Sequence, residues 1–490
     1  MKSMPRTPRR QPTFGRIKTI HMVGIGGIGM SSIAEVLVSR GYHVTGSDLE
    51  LSDVTTRLSE IGATVFEGHS AENIGEPDVV VYSSAIEPTI NPETRAAEAN
   101  RIPLIPRSVM LGELIRSKYG IGIAGTHGKT TTTSITGSVV AAGGFDPTVI
   151  VGGKVSVFGT NAMSGGGDII VVEADEYDRT FLRLTPSIAV ITNIEEDHLD
   201  TYSDLDDILG AFVQYANSIP FYGVAIICLD DPCVQSIVNK IDRRIFTYGT
   251  SRQAHLRAEN IKQDGMTMSF DVVFNGDTLG QATIKAPGIH NVRNALASIA
   301  IGLELEMKFD DICSGLAEFS GVQRRMDEIG YVSDVRVVDD YAHHPTEVRA
   351  TLEAARKCWP DSRIIAVFQP HLYSRTRDFG EAFGRSFFDA DVAVFMDIYP
   401  AREEPIPGVN GSLIAEFARS FGHREVHYIA DKQQMPEYVR GMSQPGDVVL
   451  ALGAGDIWRY SRALVSILEE GADGAGSRDP SELKYYGTDR

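Results

Sequence analysis

The chain has 490 residues, 42% hydrophobic and 23% charged, which is too long for one ordinary core and balanced for folding into several domains. A formal net charge of -19 excludes a general nucleic-acid binder, whose affinity comes from clustered Lys and Arg, so any anion must be held locally. No apolar run reaches the eighteen or so residues of a membrane span. Cys228, Cys233, Cys313 and Cys358 form no CxxC pair or ligand spacing and fit unpaired thiols in a reducing cytoplasm.

Residues 1–16, MKSMPRTPRRQPTFGR, are basic, lack the apolar core of a signal peptide and are expected to be a disordered leader. From 17 to 107 come the strand-like IKTIHMVGI, a glycine turn, a helix-like stretch from Ser31 to Arg40, then YHVTGSD and DVVVYSSAI. The proline-punctuated IPLIPR (102–107) reads as a linker. A second block, 108–321, opens with YGIGIAGTHGK and runs through DIIVVEADE and SIAVITNIEEDH to a helix over 290–305. The third, 322–470, carries four strand candidates in DVRVVDDYAHH, RIIAVFQPH, DVAVFMDIYP and DVVLALGAGDI. Residues 471–490 are expected to be a flexible tail. This alternation of β-branched runs with amphipathic stretches predicts an α/β fold with mostly parallel sheets.

Gly24, Gly26 and Gly29 in GIGGIGM meet the G-x-G-x-x-G spacing, and Asp48 follows 19 positions later. Glycines let backbone approach a diphosphate, a helix N-terminus stabilises its charge, and an acid can accept a ribose hydroxyl. The same geometry serves NAD, FAD or a nucleotide sugar, or is a ligand-free tight turn.

In GTHGKTTTT, Lys129 and Thr130 follow Gly128. Backbone N–H groups can surround phosphate, the lysine can neutralise its charge, and Thr130 can ligate Mg2+. The spacing departs from G-x-x-x-x-G-K-[ST], and a threonine-capped helix is the bland alternative. Glu173 ends an apolar strand, where open α/β sheets bind ligands, and IEEDHLD brings Glu195, Glu196, Asp197 and His198 toward the same edge. Hard oxygen ligands suit Mg2+, so Thr130 and Glu173 fit one ion and His198 a second ion or a bridging water.

The joint occurrence, in order, of GIGGIGM, GTHGKTTTT, EADEYDRTFL, NIEEDHLD, HNVRNALA, GVQRRMD, DDYAHHPTEV, HLYSRT and GAGDI resembles the Mur ligase family over most of the chain. The resemblance implies three domains: a Rossmann-like UDP domain, a central P-loop-type ATPase domain and a Rossmann-like C-terminal domain. It implies the alanine-adding reaction of peptidoglycan synthesis, in which ATP and the lactyl carboxylate of UDP-N-acetylmuramate form an acyl phosphate that L-alanine attacks. The loop Gly125, Thr126, His127, Gly128, Lys129, Thr130 and Thr131 then holds ATP, joined by His290, Asn291 and Asn294, by Arg325 at the phosphates and by Asp340 near the ribose. Two Mg2+ ions are implied, with Mn2+ as a substitute, at Thr130, Glu173 and His198. Gly26, Gly27, Ile28, Gly29, Asp48, His69, Ser83 and Ser84 are implied at the UDP-sugar, and Tyr341, His371 and Arg375 at the alanine. A lysine that supports the second ion in sister ligases has no counterpart, because no lysine stands between His198 and Lys240. A monomer or weak homodimer without membrane or nucleic-acid partners is expected. The alternatives are a ligase that attaches a murein tripeptide to the same sugar, an NAD-dependent dehydrogenase read from GIGGIGM alone, and a regulatory nucleotide binder without chemistry.

Overall fold

The computed structural model describes residues 14–155, 160–177, 179–197 and 201–473. The chain divides into two compact units: Met1–Glu259 with Asp271–Ala282 and Arg293–Ser320, and Asn260–Phe270 with Thr283–Val292 and Gly321–Arg490. Its architecture is α/β with three sheets.

The first sheet is parallel. Its strands β1 (Thr19–Val23), β2 (His43–Asp48), β3 (Thr64–Glu67), β4 (Val79–Tyr82) and β5 (Leu104–Pro106) stand in the order β3-β2-β1-β4-β5. Ile20 and Met22 pack with Ile33 and Leu37 on one face, while Val23 and Val80 pack with Ala97 on the other. Burial on both faces explains why β1 and β4 read as near-continuous apolar runs. The strand order reverses between β1 and β4, which opens a crevice at their carboxyl ends. Gly24 follows β1, Asp48 ends β2 and Ser83 follows β4.

The second sheet holds β6 (Tyr119–Ala124), β7 (Thr148–Val155), β8 (Thr160–Met163), β9 (Ile169–Glu173), β10 (Ile188–Ile191), β11 (Val224–Cys228), β12 (Ile245–Gly249), β13 (Leu256–Asp264), β14 (Thr267–Phe274) and β15 (Asp277–Ile284). They run in the order β15-β14-β13-β12-β11-β10-β6-β9-β7-β8. Pairings from β13 through β7 are parallel, and β8 closes the edge antiparallel to β7. Because β6 lies between β10 and β9, the loop after β6, Glu173 at the end of β9 and Thr192 after β10 reach one edge.

The third sheet holds β16 (Asp327–Val332), β17 (Val335–Asp340), β18 (Ile364–Phe368), β19 (Val392–Met396), β20 (Val426–Ile429) and β21 (Val448–Leu452), ordered β16-β17-β21-β18-β19-β20. Only β16 is antiparallel to its neighbour.

Several expectations are corrected. IPLIPR is not a linker: residues 104–106 form β5, paired parallel to β4, and Arg107 opens the helix Arg107–Arg116. A short edge strand tolerates prolines because its outer N–H groups have no ladder to complete. The third block has six strands rather than four. Phe14, expected within the disordered leader, stacks on Tyr42 with ring centroids 5.4 Å apart, and its N–H donates to the Tyr42 hydroxyl. The last helix runs from Ile457 through Asp473, beyond the expected start of the tail. The leader call for 1–13 and the tail call for 474–490 lie outside the described residues.

Among the described residues no helix is long and apolar enough to cross a membrane. The four cysteines are free thiols. Burial pushes Cys228 up to about 12 and Cys313 and Cys358 up to about 11, and it raises Cys233 as well.

Candidate nucleotide and acceptor sites

The first glycine loop is braced by the acid expected to read the ribose. Asp48 Oδ2 accepts from the Gly26 N–H at 2.8 Å and Oδ1 from the Leu49 N–H at 2.9 Å. A Cβ on Gly26 would lie 2.9 Å from that carboxylate oxygen, so glycine is what admits the brace. Gly24 takes a positive φ of 78°, and Gly27 caps the helix Ile28–Ser39 without a side-chain acceptor for its first N–H groups. Ile28 is 58% exposed. Ser83 packs against Gly24, where a Cβ would come within 3.0 Å of the serine Cβ. Ser84 is exposed.

His69 is fixed from below. Its Nδ1 is 2.9 Å from Ser47 Oγ, and Ser47 donates to the buried Glu93. Glu93 also accepts from His21 Nε2, Asn73 Nδ2 and the Ser70 N–H. Burial works against its charge, but bonds from His21, Ser47 and Asn73 outweigh it and hold the carboxyl below the ordinary range.

The second loop leads from β6 into the helix Lys129–Ala142. Gly125 and Gly128 both have positive φ, 137° and 81°. Asn193 holds the turn, with its carbonyl accepting from the Thr126 N–H at 3.1 Å and its Oδ1 from the His127 N–H at 2.8 Å. Thr192 Oγ1 donates to the His127 carbonyl at 2.7 Å. His127 Nε2 lies 3.5 Å from Glu195 Oε2. Thr131 is buried in the helix.

Lys129 curls over this loop. Its Nζ donates to the carbonyls of Gly125 (2.8 Å) and Thr126 (3.2 Å) and to Glu176 Oε1 (2.8 Å), with Asp175 at 3.9 Å. Burial opposes its charge, yet Glu176, Asp175 and Glu173 together hold the ammonium more firmly protonated than usual. Burial pushes Glu176 up to about 7, and Tyr202 donates to the Glu176 backbone carbonyl at 2.7 Å. Thr130 Oγ1 lies 3.0 Å from both oxygens of Glu173, and Oε2 accepts from the Gly152 N–H at 2.7 Å. Burial raises the Glu173 carboxyl. A buried carboxylate beside a hydroxyl is a hard-oxygen set whose desolvation a divalent cation would offset, so the pair fits Mg2+. His198 lies outside the described residues.

The helix Ile289–Glu304 carries the expected adenine residues. Asn291 Nδ2 donates to the Pro287 carbonyl at 2.7 Å and contacts His290 Nε2 at 3.2 Å. Asn294 comes to the second loop, its Oδ1 lying 2.7 Å from where a Gly128 Cβ would stand. Arg293 Nε donates to Asp230 Oδ2 at 2.8 Å, which ties this helix to the residues after β11.

In the second unit, Asp340 is buried, and its oxygens accept from the N–H groups of Met326 and Ala342. Arg325 Nη1 is 3.5 Å from Glu347, and the guanidinium carbons of Arg324 and Arg325 lie 4.9 and 5.4 Å from the Tyr341 ring centroid. A row of rings joins Tyr341 to His343 (5.4 Å), His343 to His371 (6.1 Å) and His371 to Tyr399 (5.7 Å). Arg375 is buried in the helix Tyr373–Gly384. Tyr341 and His371 are therefore gathered through His343, while Tyr399 joins them from a loop with no sequence signal. Glu176, Asn193 and Tyr202 are likewise additions that sequence reasoning missed.

A glycine loop on a parallel sheet, a lysine loop beside a threonine–glutamate pair on a second sheet, and a third mixed sheet define a multidomain nucleotide-handling enzyme. Three family models match in that order: Mur ligase family, catalytic domain, over residues 19–119; Mur ligase middle domain over 123–302; and Mur ligase, glutamate ligase domain, over 324–455. The chain belongs to the Mur ligase family. It is 62% identical over 471 residues to a UDP-N-acetylmuramate--L-alanine ligase of Salinibacter ruber, covering 96% of this chain and 99% of that relative. Among solved structures it resembles a UDP-N-acetylmuramate-alanine ligase of Thermotoga maritima with a TM-score of 0.78 and 29% identity, covering 93% of this chain and 100% of that one. A murein peptide ligase of Psychrobacter arcticus gives a TM-score of 0.67 and 26% identity, covering 92% and 98%. Family membership replaces the dinucleotide reading of GIGGIGM.

Proposed function

We propose that the protein joins L-alanine to the lactyl carboxylate of UDP-N-acetylmuramate at the expense of ATP, releasing ADP and phosphate. The observation that carries this reading is the convergence of Thr130 and Glu173 on the N-terminal turn that begins with Lys129. The extensive identity to the alanine-adding relative supports the choice of acceptor. In this reading residues 17–107 bind the UDP-sugar, 108–321 bind ATP and 322–470 bind the amino acid. The enzyme works in the cytoplasm as a monomer or weak homodimer, with no nucleic-acid or membrane partner.

The chemistry brings two anions together. Thr130 and Glu173 would hold the first Mg2+ and His198 the second, with Mn2+ able to take the same positions; a bound ion supplies charge that offsets the repulsion between ATP and carboxylate. The chain's own contribution begins with Lys129, which exchanges Glu176 for the transferring phosphoryl group and neutralises it in a water-poor setting. The Gly152 N–H keeps the Glu173 carboxylate aimed at Thr130. His290, Asn291 and Asn294 take the adenine, Arg325 the phosphates and Asp340 the ribose. The γ-phosphoryl group passes to the lactyl carboxylate, the alanine amine attacks the acyl phosphate, and phosphate leaves. Arg375 grips the alanine carboxylate while Tyr341 and His371 limit the room beside its methyl group.

Phosphate release is the test. It should require both UDP-N-acetylmuramate and L-alanine and disappear in Lys129→Ala. Turnover with murein tripeptide and none with alanine would overturn the acceptor assignment, and NADH binding without any ATP dependence would overturn the class.

A further inference from the structure

Arg107 has no place in the reading above, yet it stands between the two loops. It is the first residue of the helix Arg107–Arg116, directly after β5. Its half-buried guanidinium lies across the backbone of Gly29: a Cβ built there would fall 2.4 Å from Nη1 and 3.1 Å from Cζ. The guanidinium therefore occupies the space beside the third glycine of the G-x-G-x-x-G loop, and a side chain there would have to push it aside. Arg107 also lines a cleft together with Ser108, Glu173, Asp175 and Thr180, so one side chain faces both the UDP-sugar loop and the predicted phosphoryl-transfer edge.

The helix ends beside Arg107 are unfavourable for a cation, and Glu173 and Asp175, which line the same cleft, form no ion pair with it. Gly29 sits in the first turn of one helix and Arg107 begins another, and both ends carry partial positive charge. Among the described residues no carboxylate forms an ion pair with Arg107 and no acceptor hydrogen-bonds it. A guanidinium that has lost part of its water without gaining a partner calls for an anion, and its planar fork suits phosphate or carboxylate oxygens.

We propose that Arg107 is a positioning residue for the nucleotide sugar: its guanidinium takes diphosphate oxygens above Gly29 and so directs the lactyl end of the sugar toward Glu173. This rests on the UDP-N-acetylmuramate reading of the first loop. The bond it supplies is common to every UDP-linked ligand, whereas a bond to the lactyl carboxylate would serve only the muramate.

Binding of UDP, UDP-N-acetylglucosamine and UDP-N-acetylmuramate to the full-length wild type, Arg107→Ala, Arg107→Lys and Gly29→Ala separates these cases, with steady-state kinetics alongside. Arg107→Ala should weaken all three ligands by about 10- to 100-fold, the worth of a hydrogen bond to a charged group. The KM for UDP-N-acetylmuramate should rise and kcat should fall while the KM values for ATP and alanine stay put, a split that general loss of structure would not give. Arg107→Lys should recover part of the loss. Gly29→Ala, which pushes the guanidinium aside, should weaken binding too and add little when combined with Arg107→Ala. Weakening confined to UDP-N-acetylmuramate overturns the diphosphate assignment in favour of the carboxylate. Unchanged affinities in a folded Arg107→Ala protein overturn the proposal while leaving the proposed activity intact. A wild type that binds none of the three ligands overturns both.

Discussion

Gly125→Ala tests the lysine loop where the structure is least forgiving. The residue has a φ of 137°, a conformation that side chains rarely adopt, and an added Cβ would lie 2.0 Å from Thr192 Oγ1 and 3.1 Å from the backbone N and O of Asn193. Backbone strain of about 1–3 kcal/mol adds to overpacking of about 1–3 kcal/mol, so a stability loss of roughly 2–6 kcal/mol is expected. Relief by moving Thr192 would break its hydrogen bond to the His127 carbonyl, and a shift of residue 125 would remove a carbonyl from Lys129. Binding of a non-hydrolysable ATP analogue should therefore fall along with stability. Urea unfolding and calorimetric titration measure the two quantities. Adding Thr192→Ala removes the closest atom but leaves the backbone strain, so about half of the stability loss should return. A Gly125→Ala protein that loses under about 1 kcal/mol and binds nucleotide like the wild type would refute the reasoning.

Three further outcomes follow from the same site. Lys129→Ala should lower phosphate release by at least about 100-fold while leaving the protein folded, because a preorganised charge at the transferring group is lost; a tenfold smaller effect would count against that role. Glu173→Gln should raise the Mg2+ concentration needed for half-maximal activity, measured by metal titration, with activity partly regained at saturating metal; an unchanged titration would remove Glu173 from the ion. Glu176 is raised by burial from 4.5 to about 7, so its contribution to stability is complete below about 4.5 and is lost as pH rises through about 7. Urea unfolding should show wild type losing up to about 3 kcal/mol relative to Glu176→Gln between those limits, and parallel pH profiles would contradict this.

What the sequence made legible was whatever the backbone itself demands. Positive-φ glycines in GIGGIGM and GTHGK mark places where chain must turn tightly, and Glu173 could be placed because it ends an apolar run. Strands buried on both faces were visible for the same reason. Strands with exposed faces were not: β13, inside the second sheet, reads LRAENIKQD and β16, at the edge of the third, reads DEIGYV, with few buried positions, so neither shows an apolar run. β5 was hidden by its prolines. At the sites, the partners that escaped notice depend on how loops return after the strand ends. Nothing in EADEYD distinguishes Glu176, which meets Lys129, from Asp175, which stays 3.9 Å away. Asp48 was legible as the acid of the first loop, but not as the acceptor for that loop's own Gly26 N–H.

The free cysteines carry a practical consequence. A thiol titrating near 11 is ionised in only about one molecule in ten thousand at neutral pH, and the thiolate is the reactive form. Cys313 and Cys358 should therefore react slowly with maleimides under mild conditions, and Cys228 more slowly still. Solvent-facing cysteines introduced in pairs, one on each of two sheets, can then carry fluorophores against a low background once Cys233 is replaced, so that distances between the sheets can be followed during turnover with the other three natural thiols left in place.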